Sequence, residues 1–201
     1  MKKIIIIGCG GHAHSCSEVI NNLKKYKITN YLTNNKNDVN NKILFYSKLN
    51  LIKFRKKNIK LAHIGIGQIK NLTKRTKIYN ELVKLGFHLP NFISKHCYFS
   101  KSSKIGSGSI VMNNAFVNSN VKIGNNVIIN NGSIIEHDNI INDDVHIAPG
   151  AIINGGVKIG KNSFIGSGAI IKQGLIIPPF TIIQAGKVIL RKGDISQNEK
   201  T

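Results

Sequence analysis

From Ile105 onward every sixth residue is Ile or Val, without a gap through Val111, Val117, Ile123, Ile129 and Ile135 to Ile189, fifteen positions in all. A period of six fits neither the 3.6-residue turn of an α-helix nor the two-residue alternation of a half-buried strand. Four residues after the aliphatic position the side chain is usually small or β-branched, as at Ser109, Ala115, Val121, Ser133 and Ala169. Glycine often follows it directly, as at Gly106, Gly124 and Gly160. The pattern predicts a triangular parallel β-helix in which three hexapeptides close one coil and the aliphatic residue points inward on every face. Fifteen repeats make five coils. At the ~4.8 Å spacing of paired strands this is a prism roughly 24 Å tall. A β-sandwich would need every one of those aliphatic residues to fall in phase by coincidence.

The residues ahead of the repeats follow a different rule. Ile4–Ile7 is a short all-apolar run of the kind buried on both faces of a parallel sheet. Gly8-Cys9-Gly10-Gly11 reads as a tight turn, Ser15–Lys25 has helical spacing, and Ile28–Leu32 reads as a second strand. An Asn- and Lys-rich loop covers Thr33–Lys42, Leu61–Ile66 is another buried strand, and Lys74–Leu85 is an amphipathic helix ended by Gly86. This order describes half of a doubly wound, Rossmann-like α/β fold. The expected organisation is a Rossmann-like nucleotide-binding domain over 1–88, a linker into the first coil over 89–104 and an all-β parallel β-helix over 105–195.

Charge separates the same two regions. Residues 1–104 carry 21 Lys and Arg against three acids, whereas residues 105–201 carry eight against six. A net charge of +20 suggests nucleic acid, but only three of the 29 basic residues are Arg, the better reader of phosphate and base. Ile, Asn and Lys together make 88 of the 201 residues, so AT-rich codons account for much of the lysine. No nucleic-acid partner is expected. Three cysteines without a CxxC pair point to a reducing cytoplasm. The apolar run after Met1 is too short for an export signal, and no window approaches a membrane span.

Two places carry chemistry. The turn Gly8-x-Gly10-Gly11 follows a strand and opens a helix, so backbone amides and the helix dipole can meet a phosphate there. It is incomplete as a dinucleotide fingerprint, because Thr33 and Asn34 stand where an acid would bind a ribose. The second place is Glu136-His137-Asp138-Asn139, with His146 nine residues later. Glu136–His146 gathers two of the seven histidines and four of the six acids of the second half. Histidine suits proton removal from an amine or hydroxyl. A zinc site would lack a third neutral ligand nearby, so no metal is expected.

The segments IIIIGCGGHAHS and IIEHDNIINDDVHIAPGAIINGGVKIGKNSFIGSGAII together resemble the sialic acid O-acetyltransferase family of sugar acyltransferases. That family includes N-acetyltransferases acting on nucleotide-linked 4-amino sugars. The resemblance implies a left-handed β-helix, a homotrimer, and acetyl transfer from acetyl-coenzyme A to a sugar of a bacterial surface glycan. It implies His137 as general base, assisted by Asp138. Acetyl-CoA would meet His146, Ser167 and Ala185, and the nucleotide sugar would meet Gly10, Gly11, His12, Thr33, Asn34 and Gly67. O-acetylation of a sialic or nonulosonic acid would use the same base, and a trimeric β-helix with a decayed site would bind without catalysis. The sequence departs from the family at Thr33-Asn34, at a longer stretch Gly67–Thr73, and in lacking a Gly-x-Pro-Ala-Lys segment after the last repeat. A differently shaped mouth of the coenzyme pocket is expected from the last.

Overall fold

The computed structural model describes residues 1–68 and 71–195. Ile69 and Lys70, within the long stretch Gly67–Thr73, lie outside the described residues. The chain opens as β1 (Lys2–Ile7), α1 (Gly11–Asn22), β2 (Tyr26–Thr33), β3 (Ile43–Phe45), α2 (Lys48–Lys56), β4 (Leu61–Ile64) and α3 (Lys74–Lys84). Its four strands are parallel in the order β3-β2-β1-β4. The run Ile4–Ile7 is buried on both faces. Ile5 and Ile7 pack with Leu51 and Phe54 of α2 and Ile78 and Leu82 of α3, while Ile4 and Ile6 pack with Ala13, Cys16, Val19 and Ile20 of α1. Helix α1 starts at Gly11, four residues ahead of the expected Ser15, with extended Gly10 as its N-cap. Strand β3 and helix α2 fill a stretch whose sequence had given no element.

The β-helix contains seventeen two-residue strands, from Phe92–Ile93 to Val188–Ile189, in parallel sheets of six, six and five. It therefore begins earlier than Ile105. Residues 89–104 are not a bare linker: Phe92–Ile93 pairs with Ile110–Val111, and Tyr98–Phe99 pairs with Phe116–Val117. The step of six runs back through Phe99 to Ile93, both packed on the same core. An aromatic residue fills the inward position at 99, which interrupts an Ile/Val pattern without interrupting the coil.

Each corner of the prism is a turn with one residue at positive φ, recurring at every sixth position from Gly108 to Gly186. The occupants are Gly, Asn or Asp, the residues that tolerate the left-handed conformation, with Phe180 as the exception. The three outer faces differ. The first presents Phe92, Ile110, Ile128 and His146, and is covered by β1 and α1. The second presents Tyr98, Phe116, Ile134, Ile152, Ile170 and Val188, all apolar, with Tyr98 56% and Val188 46% exposed. The third presents Lys104, Lys122, Ile140, Lys158 and Ile176.

Candidate active site

The C-terminal ends of β1, β2 and β4 open into a cleft of about 390 Å³. Gly10, Gly11, His12, Thr33, Asn34 and Gly67 all line it, so the residues expected around a nucleotide sugar are brought together. Two kinds of glycine meet here. Gly65 is needed for packing, since a Cβ would come 2.8 Å from the Ala13 Cα and 2.9 Å from Ile6 Cγ2. A Cβ at Gly10, Gly11 or Gly67 would touch nothing, so there the missing side chain only leaves the lip bare. At the start of α1 that exposes amides at the positive end of a helix dipole.

An acid does reach this cleft. Asp38, four residues past Asn34, folds back so that Thr33 Oγ1 donates to its Oδ2 (3.4 Å), Cys9 Sγ donates to the same oxygen (3.3 Å), and Asn35 Nδ2 donates to Oδ1 (3.2 Å). Sequence reasoning looked for it at the end of β2 and missed it. Lys74 and Tyr46, also unremarked, complete the wall, and the Tyr46 hydroxyl donates to Glu81 at 2.6 Å.

His137 and Asp138 occupy a corner between the second and third faces. Adjacent residues of a strand point apart, but Asp138 is the positive-φ residue of its turn (φ 59°), and this brings its carboxylate back beside the ring. His137 Nδ1 donates to Asp138 Oδ2 at 2.8 Å, and Asn120 Nδ2 donates to Asp138 Oδ1 at 3.2 Å. Those two hydrogen bonds hold the Asp138 carboxyl below its usual pKa. Because the carboxylate can only accept, Nδ1 bears the proton and Nε2 carries the lone pair. Both side chains are more than half exposed. The imidazole lies over Gly155, where a Cβ would be 2.7 Å from Cε1 and 2.8 Å from Nε2. An exposed, oriented imidazole with a free Nε2 is equipped to accept a proton.

His146 sits differently. It is 5% exposed, under the N-terminal sheet domain on the first face. Its Nδ1 donates to the Gln68 carbonyl at 2.9 Å, while Asn130 Nδ2 donates to Nε2 at 3.2 Å. Burial first, and then Arg75, push its pKa down to about 4 against the Gln68 hydrogen bond, so the ring is neutral. An acetyl-CoA contact through Nε2 would require Asn130 to give it up. Ser167 and Ala185 lie exposed on consecutive coils of the corner after the first face, where the Gly186 amide donates to the Ser167 carbonyl at 2.8 Å. Among the described residues no cluster of three or more His, Cys, Asp and Glu is placed to hold a metal.

A cleft at the switch between β1 and β4, joined to a hexapeptide β-helix with an exposed His–carboxylate pair, defines a class of two-substrate transferase. Residues 3–82 match the PglD N-terminal domain family, and residues 102–137 and 140–173 match the bacterial transferase hexapeptide (six repeats) family. The acetyltransferase domain of PglB from Neisseria gonorrhoeae is 31% identical, with a TM-score of 0.85 and coverage of 94% of this chain and 92% of that one. The same domain has been solved with acetyl coenzyme A (29% identity, TM-score 0.82, the same coverage). A histidine-to-asparagine variant of perosamine N-acetyltransferase from Caulobacter crescentus, in complex with CoA and GDP-perosamine, is 27% identical (TM-score 0.87, 94% and 89% covered). No curated protein sequence matches the chain. The chain belongs to the hexapeptide-repeat sugar acetyltransferases, with their α/β N-terminal domain and left-handed β-helix.

Proposed function

We propose that this enzyme transfers the acetyl group of acetyl-CoA to the amine of a nucleotide-linked amino sugar, with His137 as general base. The observation that carries this reading is the His137–Asp138 pair, whose geometry leaves Nε2 free and exposed. The sugar amine attacks the thioester carbonyl, Nε2 takes the proton released, and CoA leaves as its thiolate, which recovers the proton. Asp138 stabilises the imidazolium that forms and keeps the tautomer correct. The bare glycines and the α1 N-terminus receive the diphosphate, with Asp38 and Asn34 near the nucleoside. Acetyl-CoA lies along the exposed corner marked by Ser167 and Ala185.

The same reading includes a homotrimer built on the second face. Six stacked apolar residues from Tyr98 to Val188 lie uncovered in the single chain, an arrangement that marks an interaction surface. His137 borders that face, so a neighbouring subunit there would help line the reaction site. Three unpaired cysteines fit a cytoplasmic enzyme. The test is a panel of GDP-perosamine, UDP-linked 4-amino sugars and sialic-type acids, each incubated with acetyl-CoA and scored by mass spectrometry for an added acetyl group. Modification of an amino nucleotide sugar is expected. Modification of a nonulosonic acid alone would move the activity to O-acetylation, and no product with any of them would refute the reading.

A further inference from the structure

The third wall of the cleft, Gly65-Ile66-Gly67, continues into Gln68, and this segment is tied to the β-helix from two sides. On one side Arg75, only 1% exposed, donates from Nη1 to the Ile64 and Ile66 carbonyls (2.9 and 2.5 Å) and from Nη2 to Asn126 Oδ1 (2.7 Å). Asn126 Nδ2 in turn donates to Asp144 Oδ1 at 2.6 Å. On the other side Gln68, also 1% exposed, donates from Nε2 to the Asp144 carbonyl at 2.7 Å and accepts His146 Nδ1–H on its own carbonyl.

The tautomer of His146 follows from two independent contacts. Nδ1 lies 2.9 Å from the Gln68 carbonyl and 3.4 Å from the Gln68 amide nitrogen; the shorter contact, to an oxygen that can only accept, places the proton on Nδ1. The Asn131 amide donates to Asn130 Oδ1 at 2.9 Å, which leaves Asn130 Nδ2 to donate to His146 Nε2. The Phe164 ring closes the site edge-on at 5.2 Å. Both ring nitrogens are thus spent inside the protein. A residue whose role was confined to acetyl-CoA would keep one nitrogen open.

We infer that His146 is a positioning residue for the nucleotide-sugar cleft: together with Gln68 it fixes the wall Gly65–Gln68 against the β-helix. The inference rests on the cleft's assignment to the nucleotide sugar. It shifts the weight of His146 from the acyl donor to the acceptor, and gives the β-helix a part in shaping a cleft otherwise built by the α/β domain.

Three variants test it through the Michaelis constants of the two substrates. His146→Asn keeps an amide where Nδ1 stands and should leave KM for the nucleotide sugar within about threefold of wild type. His146→Gln places its amide at the Nε2 side and loses the Gln68 bond, and Gln68→Ala removes the anchor on Asp144. Each of these should raise that KM about 5–10-fold, the scale of one lost buried hydrogen bond, with KM for acetyl-CoA changed less than twofold. A rise confined to acetyl-CoA, or His146→Gln outperforming His146→Asn, would overturn the inference. Long-range ¹H–¹⁵N spectra of the wild-type protein supply a readout free of turnover and of variant folding. His146 should appear as the Nδ1–H tautomer, and an Nε2–H tautomer overturns the inference. If no panel sugar is acetylated, the functional reading fails by itself. Calorimetry with GDP and UDP then replaces KM: weaker binding by Gln68→Ala supports the positioning role, and unchanged binding refutes it.

Discussion

Gly155→Ala should disable the enzyme through one displaced ring. Gly155 stands one coil beyond His137, and its amide neighbour Gly156 donates to the His137 carbonyl at 2.9 Å. A methyl group at 155 would lie 2.7 Å from Cε1 and 2.8 Å from Nε2, while Nδ1 would be 3.3 Å away. Restoring van der Waals contact moves the far edge of the ring by about 0.7–1 Å. The backbone itself is indifferent, because Gly155 is not at positive φ, unlike Gly156 at +68°. Stability should therefore change by less than about 1 kcal/mol. A shift of that size strains the 2.8 Å bond to Asp138 and misaims Nε2. Misplacement of a catalytic group by about 1 Å costs up to ~10²-fold, so turnover should fall roughly 10–100-fold with both Michaelis constants little changed. Initial rates of CoA release, with melting temperature as the folding control, measure this. On a His137→Ala background the same substitution should add almost nothing, because its effect passes through the ring. Turnover within twofold of wild type, or an equal further loss on the His137→Ala background, would refute the reasoning.

Other outcomes follow from the same geometry. His137→Ala should lower turnover by roughly 10²–10⁴-fold, with Asp138→Asn falling between it and wild type, in steady-state assays with folding and subunit number unchanged. Gly67→Leu, entering open space, should raise KM for the nucleotide sugar severalfold and leave the melting temperature within a few degrees. Acid should destabilise the protein well above the carboxylate range. His146 titrates at about 4 and His12 at about 3 when folded, both lowered chiefly by burial, against about 6.5 unfolded. Their contribution is complete above pH 6.5 and is lost as pH falls toward 4, about 2 kcal/mol for His146 by pH 5. Urea denaturation at pH 7 and pH 5 checks it, and a flat profile would contradict the burial. If the proposed homotrimer forms through the uncovered apolar face, Ile152→Glu should dissociate it, read by light scattering.

Most of the β-helix was legible because its core obeys one rule. An inward aliphatic residue every six positions is a direct consequence of three flat faces around a narrow interior, and no other fold imposes it. The corners carry a second rule that the same sequence displays, Gly, Asn or Asp at every sixth residue from Gly108 except Phe180. Asp138 belongs to that register. Its presence at a turn needs no catalytic explanation, yet the turn is what returns its carboxylate to His137. One residue thus answers to backbone geometry and to chemistry, and composition alone could not separate the two. The start at Phe92 was hidden for a simpler reason, since Phe99 fills the space of an Ile without looking like one.

What stayed illegible depends on which outer face the N-terminal sheet covers. Ile128 and Ile134 are equally apolar in sequence, yet the first is buried by Ile4, Ile6 and α1 while the second belongs to the open face. Local pattern gives each hexapeptide an inside and an outside, and only the docking of a separate sheet decides which outside becomes inside. His146 lies on the covered face, so its environment was set by residues 78 positions away in the chain, at Gln68. Arg75 is the same case: in the sequence it is one more cation on a basic, amphipathic helix. In the fold it is buried, satisfied by the carbonyl of Ile64 at the end of β4, that of Ile66 in the cleft wall and Asn126, and held at a pKa lowered by burial to about 10. A buried guanidinium survives only where such acceptors converge. Its position shows that the cleft and the β-helix share one polar network, so a substitution at Asn126 or Asp144, remote from the glycine turn in sequence, should act on the cleft proposed for the nucleotide sugar through the wall those residues hold in place.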